Sequence, residues 1–183
     1  MLRSLLVMLC WVGCVWEVPN VLGIEAIAAT KPITVSIQMN MTEHSAALLN
    51  WQHAHNIKSV WGQKVWIPFL DVYSPSGQLI YHGEHTDAQR ALEVLKALPK
   101  TEGTPPHAEL HMTLPEVLDL SPDLKRLKAP ILENHHYVVV STSLFKADGG
   151  SNSAIQDTAL NELKKRVRTN IDIVQIYLVP PAE

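Results

Sequence analysis

The sequence predicts an α/β fold, a mixed sheet flanked by helices, and three observations predict it. Stretches with the two-residue alternation of strands take turns along the chain with stretches of three- and four-residue helical periodicity. A turn signal, Ser74-Pro75-Ser76-Gly77, separates two runs rich in β-branched and aromatic residues. The C-terminal half closes with a strand, a helix and a strand, a β-α-β extension. Composition agrees: 46% hydrophobic and 18% charged residues are globular values. A net charge of -3 supplies no field that would gather nucleic acid or an anionic membrane.

Each element follows from local chemistry. Residues 33–39 alternate apolar side chains with Thr34, Ser36 and Gln38, as a half-buried strand does. Thr42 or Glu43 caps the helix that continues through Leu48, Leu49 and Trp51. Residues 65–73 read as a strand whose Pro68 belongs at its start or edge, because proline gives a ladder no N–H. Gly77 takes the left-handed position of the turn, and residues 78–82 form the return strand. Residues 87–98 are an amphipathic helix stopped by Pro99.

A polar linker covers 100–106, and residues 107–112 read as a short strand. Thr113-Leu114-Pro115-Glu116 has the form of a capping box, and Ser121-Pro122-Asp123 opens another helix. Residues 137–145 are a strand, 155–167 a helix, and 171–179 a final strand ended by Pro180-Pro181.

Residues 1–29 read as a secretory signal peptide. Arg3 gives a positive start, an apolar run extends to Trp16, and Ala26-Ile27-Ala28 sets small residues before cleavage near Ala28 or Ala29. Glu17, Pro19 and Gly23 interrupt the run short of the roughly 20 residues that span a bilayer. A retained anchor is the alternative, and Trp11-Val12-Gly13-Cys14 is a poor lipobox. The expected location is therefore periplasmic or extracellular. Cys10 and Cys14 both fall in this segment, so the mature chain has no disulfide, thiol nucleophile or thiolate metal site.

The run Trp66-Ile67-Pro68-Phe69-Leu70-Asp71-Val72-Tyr73, then Ser74-Pro75-Ser76-Gly77, then Gln78-Leu79-Ile80-Tyr81-His82-Gly83 and the helix from Asp87 resembles the thioredoxin-like family. The resemblance covers roughly residues 30–99, leaving 100–183 as a C-terminal α/β part that can share the same compact domain. It implies a cis peptide before Pro68 and places the family's Cys-x-x-Cys motif at Thr42-Glu43-His44-Ser45. Hydroxyls there have no two-electron sulfur couple, so dithiol exchange is excluded for the mature chain.

Nine histidines lie beyond the signal segment. On a strand, His107, Glu109 and His111 would share one face. Two imidazoles and a carboxylate suit Zn²⁺ or another divalent ion, with His82 or His85 as a further ligand. A solvated strand face is the plainer expectation for the same pattern. His53, His55, His135 and His136 read as exposed residues near loops. No Gly-x-Ser-x-Gly elbow appears, and Gly149-Gly150 lacks phosphate-loop spacing. Lys164, Lys165, Arg166 and Arg168 complement a helix C-terminus.

These features imply an exported, non-catalytic thioredoxin-like protein that acts as a binding or assembly component of the cell envelope. Its partner is a protein there, with no nucleic acid, no cofactor and no membrane contact beyond the signal segment. The alternative is a periplasmic metal-binding or metal-dependent protein that uses the His/Glu cluster.

Overall fold

The computed structural model describes residues 31–57, 68–84, 90, 93, 94, 97, 108–145, 152–166 and 170–181. Strand β1 (Thr34–Asn40) leads directly into helix α1 (Met41–Ala54), and β2 (Phe69–Tyr73) and β3 (Leu79–Glu84) form a hairpin. A single 3₁₀ turn (Ala108–Leu110) precedes α2 (Leu114–Val117) and α3 (Pro122–Asn134). Strand β4 (Tyr137–Leu144), helix α4 (Asn152–Arg166) and β5 (Ile171–Val179) complete the chain.

All five strands join one mixed sheet in the order β1-β5-β4-β2-β3. β1, β5 and β4 run parallel, and β2 is antiparallel to both β4 and β3. The closing β-α-β unit is thus no appendage: β4 and β5 lie between β1 and β2. Sequence explains this placement. A strand covered on both faces needs apolar or satisfied side chains throughout, whereas an edge strand can alternate. Residues 137–143 and 171–176 are all buried, while β1 alternates exposed Thr34, Ser36 and Gln38 with half-buried neighbours.

Two apolar layers result. On one face Tyr73, Val138, Val140, Val174 and Ile176 pack with Leu114, Val117, Leu124 and Ile131 of α2 and α3, joined by Leu48 and Trp51 of α1. On the other, Leu70, Val72, Val139 and Ile173 meet Leu160 and Leu163 of α4. Each fully buried aliphatic side chain contributes about 1.5–3 kcal/mol relative to exposure.

The caps refine the expected boundaries. Asn40, not Thr42 or Glu43, caps α1, its Oδ1 accepting from the Thr42 N–H at 2.8 Å. The Glu116 carboxylate accepts from both the N–H and the hydroxyl of Thr113 at 2.7 Å, which satisfies the start of α2. Gly77 has φ +79°, the left-handed value its turn requires.

Three expectations need restating. Residues 108–110 form a 3₁₀ turn, not part of a strand. The His111 N–H donates to Ala108 O at 3.1 Å, a local bond that replaces a ladder. The strand expected over 107–112 is therefore not formed at 108–110, while His107 and the side chain of Glu109 lie outside the described residues. His136 is buried, 7% exposed, rather than a loop histidine at the surface. Strands β1 and β2, whose segments together carry the family resemblance, are separated by two strands. The signal segment, the cleavage point and most of the helix expected over 87–98 lie outside the described residues. Among those described, no helix is long and apolar enough to cross a membrane.

Candidate functional site

The β2–β3 ladder sets Asp71 opposite His82. His82 Nδ1 lies 2.6 Å from Asp71 Oδ1, and both side chains are largely covered, at 19% and 10% exposed. A short contact to a carboxylate directs the ring proton to Nδ1 and places the basic lone pair on Nε2. This is the arrangement that orients a histidine acting as base or ligand. Asp71 stands between Leu70 and Val72, where a charge is tolerated only because a partner meets it.

His111 comes to this pair from a segment 29 positions later in the chain. Its ring centroid is 4.2 Å from that of His82, at an interplanar angle of 38°. Two backbone ties hold the segment there. The Tyr73 hydroxyl donates to Met112 O at 3.2 Å, and the Leu114 N–H donates to Gly77 O at 3.1 Å. Burial, followed by the charges of Asp71 and Glu116, pushes the Tyr73 phenol well above its ordinary range, so it remains a donor.

The row of rings continues on the other side. Phe69 lies 6.1 Å from His82, and His44, in the first turn of α1, lies 6.5 Å from Phe69. Burial lowers the His44 pKa, which keeps its imidazole neutral at physiological pH. Thr142, paired in register with Phe69, has a buried hydroxyl without a hydrogen-bond partner among the described residues. His44, Phe69, His82 and His111 therefore form a row of rings, with Asp71 bracing His82.

The residues singled out from sequence divide as follows. His82 and His111 converge. Of the Thr42-Glu43-His44-Ser45 run, only His44 is buried, at 2% exposed, and the other three face solvent. Pro68 is buried at the start of β2. His85, His107 and the side chain of Glu109 lie outside the described residues. Among the described residues, no group of three or more His, Cys, Asp or Glu side chains is arranged to hold a metal ion. What the geometry does supply is a pair of imidazoles beside a carboxylate.

Sequence reading passed over Asp71 and also Asp172, the centre of a second buried polar cluster. Asp172 is 0% exposed. Its Oδ1 accepts from the Ile33 N–H at 2.7 Å and faces His136 Nδ1 at 3.1 Å, and its Oδ2 accepts from Asn134 Nδ2 at 3.3 Å. Aspartate is depleted in strands, so an Asp inside an apolar strand was the available signal for both. Each is answered by a histidine elsewhere in the chain.

His55 makes a separate ion pair, Nε2 to Glu116 Oε1 at 2.9 Å, and stacks on Trp51 at 4.8 Å. Burial alone would raise the Glu116 carboxyl, but the Thr113 donors and the His55 charge outweigh it and hold the carboxyl below its usual value. The Trp51 indole N–H also lowers it, although among the described residues that group has no partner of standard hydrogen-bond geometry.

Neither a family model, nor a curated protein, nor a solved structure matches this chain.

Proposed function

We propose that this protein is an exported, non-catalytic binding component of the cell envelope with a thioredoxin-like hairpin half, and that its ligand site is the His82–His111 pair. The observation that carries the reading is the convergence of these imidazoles from distant segments, with Asp71 orienting one of them. Imidazole nitrogen is a ligand for borderline divalent ions such as Zn²⁺, Cu²⁺ and Ni²⁺. Two protein ligands leave several coordination positions open, which suits an ion shared with a partner better than a closed structural site.

Support for the thioredoxin-like part comes from the hairpin that starts at Pro68 and from the first turn of α1 meeting Phe69 through His44. The separation of β1 from β2 by two strands weighs against extending the resemblance beyond the hairpin.

Calorimetric titration of tag-free protein with Zn²⁺, Cu²⁺ and Ni²⁺ tests the site. Binding of at least one ion at neutral pH is expected, with loss in His82→Ala and in His111→Ala and weakening in Asp71→Asn, where the second partner is damaged. Absence of binding by all three ions, or binding unchanged in both alanine variants, refutes the reading.

A further inference from the structure

The face of the sheet under α4 changes character along its strands. At the level of Thr34, the register partners Ile173 and Val139 belong to the apolar layer beneath Leu160 and Leu163. One step further along, side-chain alternation lines up Ser36, Gln175 and Ser141, and the next step lines up Gln38, Tyr177 and Ser143. Ser141, Ser143 and Gln175 are buried, a costly use of core positions unless each group is answered. Both polar rows lie toward the carboxyl ends of three parallel strands, the end at which open α/β sheets bind ligands.

Helix α4 meets these rows with polar side chains of its own. Gln156 Nε2 donates to Ser141 Oγ at 2.7 Å and to Phe69 O at 2.9 Å. Nearer β1, a chain of hydrogen bonds joins two opposite charges. Lys164 Nζ donates to Gln175 Oε1 at 2.5 Å, Gln175 Nε2 donates to the Tyr177 hydroxyl at 3.0 Å, and that hydroxyl donates to Asp157. Ser143 Oγ donates to the same carboxylate at 3.3 Å, and Ser36 Oγ donates to Gln175 Oε1 at 3.1 Å.

Asp157 and Lys164 are about two helical turns apart, so they stand on one side of α4 with roughly 10 Å between their Cα atoms. Both are half-exposed, and the β1 side chains Thr34, Ser36 and Gln38 on the same face are exposed. Among the described residues, their bonds leave acceptor sites on the carboxylate and N–H donors on the ammonium. Burial raises the Asp157 carboxyl by more than Ser143, Tyr177 and Lys164 lower it, so this group gains from a further cation.

We infer that this face binds a free amino acid, its α-ammonium on Asp157, its α-carboxylate on Lys164, and Ser36, Gln38 and Tyr177 supplying neutral contacts between them. A molecule that carries both charges a few ångströms apart engages both ends of the network, whereas a simple cation or anion engages one. The site lies on the opposite face of the sheet from Asp71 and His82, and the inference does not rest on the imidazole pair.

Calorimetric titration of the tag-free full chain with L-alanine, L-leucine, L-phenylalanine, L-glutamate and L-lysine tests it. At least one is expected to bind with a Kd below about 1 mM. Its N-acetyl and carboxamide forms, each lacking one charge, are expected to bind roughly tenfold or more weakly to the parent protein. Asp157→Asn should erase the discrimination against the N-acetyl form, and Lys164→Gln that against the carboxamide, which a purely structural role would not bring about. Circular dichroism reports whether the variants fold; if they do not, the blocked ligands on the parent protein decide. Binding of none of the five at that level overturns the inference. So does equal binding of the free and both blocked forms, or discrimination unchanged in both folded variants.

Discussion

Replacing Asp172 with alanine removes a carboxylate that no solvent reaches and leaves its partners in place. His136 would be left in a buried site without its acceptor, and the Ile33 N–H and Asn134 amide would each lose a hydrogen bond. Taking a buried carboxylate away from the donors that satisfy it costs about 3–5 kcal/mol, because those donors keep their desolvation penalty. Hydrogen bonds to a charged acceptor are worth about 1.5–3 kcal/mol each, so the upper part of that range applies. At about 2–4 °C per kcal/mol for a chain of this size, a loss of about 4–5 kcal/mol lowers the melting temperature by roughly 8–20 °C. Urea unfolding followed by circular dichroism measures the change directly. A double-mutant cycle with His136→Ala then isolates the pair, and a coupling above about 1 kcal/mol is expected for groups in contact. A loss below about 1 kcal/mol in Asp172→Ala with an unchanged slope would refute the reasoning, since it would mean that Asp172 gains nothing from its three donors.

Two further outcomes follow from local geometry. Burial holds the folded-state pKa of His44 below the ordinary 6.5, so the folded protein binds fewer protons than the unfolded chain in that window. Stability should therefore be full above pH 6.5 and fall as pH drops toward the folded value, and urea midpoints across that range should flatten in His44→Phe. Pro130 sits exposed inside α3, where it denies the helix an N–H. Pro130→Ala should raise stability by about 2–2.5 kcal/mol, the helical gain less the entropy returned to the unfolded chain, as read by thermal melting.

Elements governed by neighbours in sequence were legible. The alternation of β1, the Gly77 turn and the Thr113–Glu116 pairing each depend on residues within a few positions. Residues 107–112 misled for a physical reason. A short run reads the same as strand or turn until its backbone partners are known, and here the His111 N–H turns back to Ala108 O while the Tyr73 hydroxyl takes Met112 O. The order of strands was not legible either. The long, mainly apolar runs of β4 and β5 signal burial on both faces, but nothing local says that they separate β1 from β2. At the candidate site, His82 and His111 could each be flagged, but their meeting is a property of the hairpin and the ties that dock the following segment. Asp71 and Asp172 were hidden because their histidine partners lie 11 and 36 positions away.

The central position of β4 and β5 orders events in time. β1 has no ladder neighbour until residues 171–179 exist, and its register contacts span 139 positions, as in Thr34 with Ile173. The hairpin likewise waits for β4 before it gains a second flank. A chain stopped short of Ile171 would leave β1 unattached and one side of β4 bare, with the row of core valines open to water. Loop closure over such distances precedes the contacts that reward it, so assembly is slow and dominated by its last segment. The final nine-residue strand therefore acts as the closing seam of the molecule, joining β1 to the β4-β2-β3 part of the sheet.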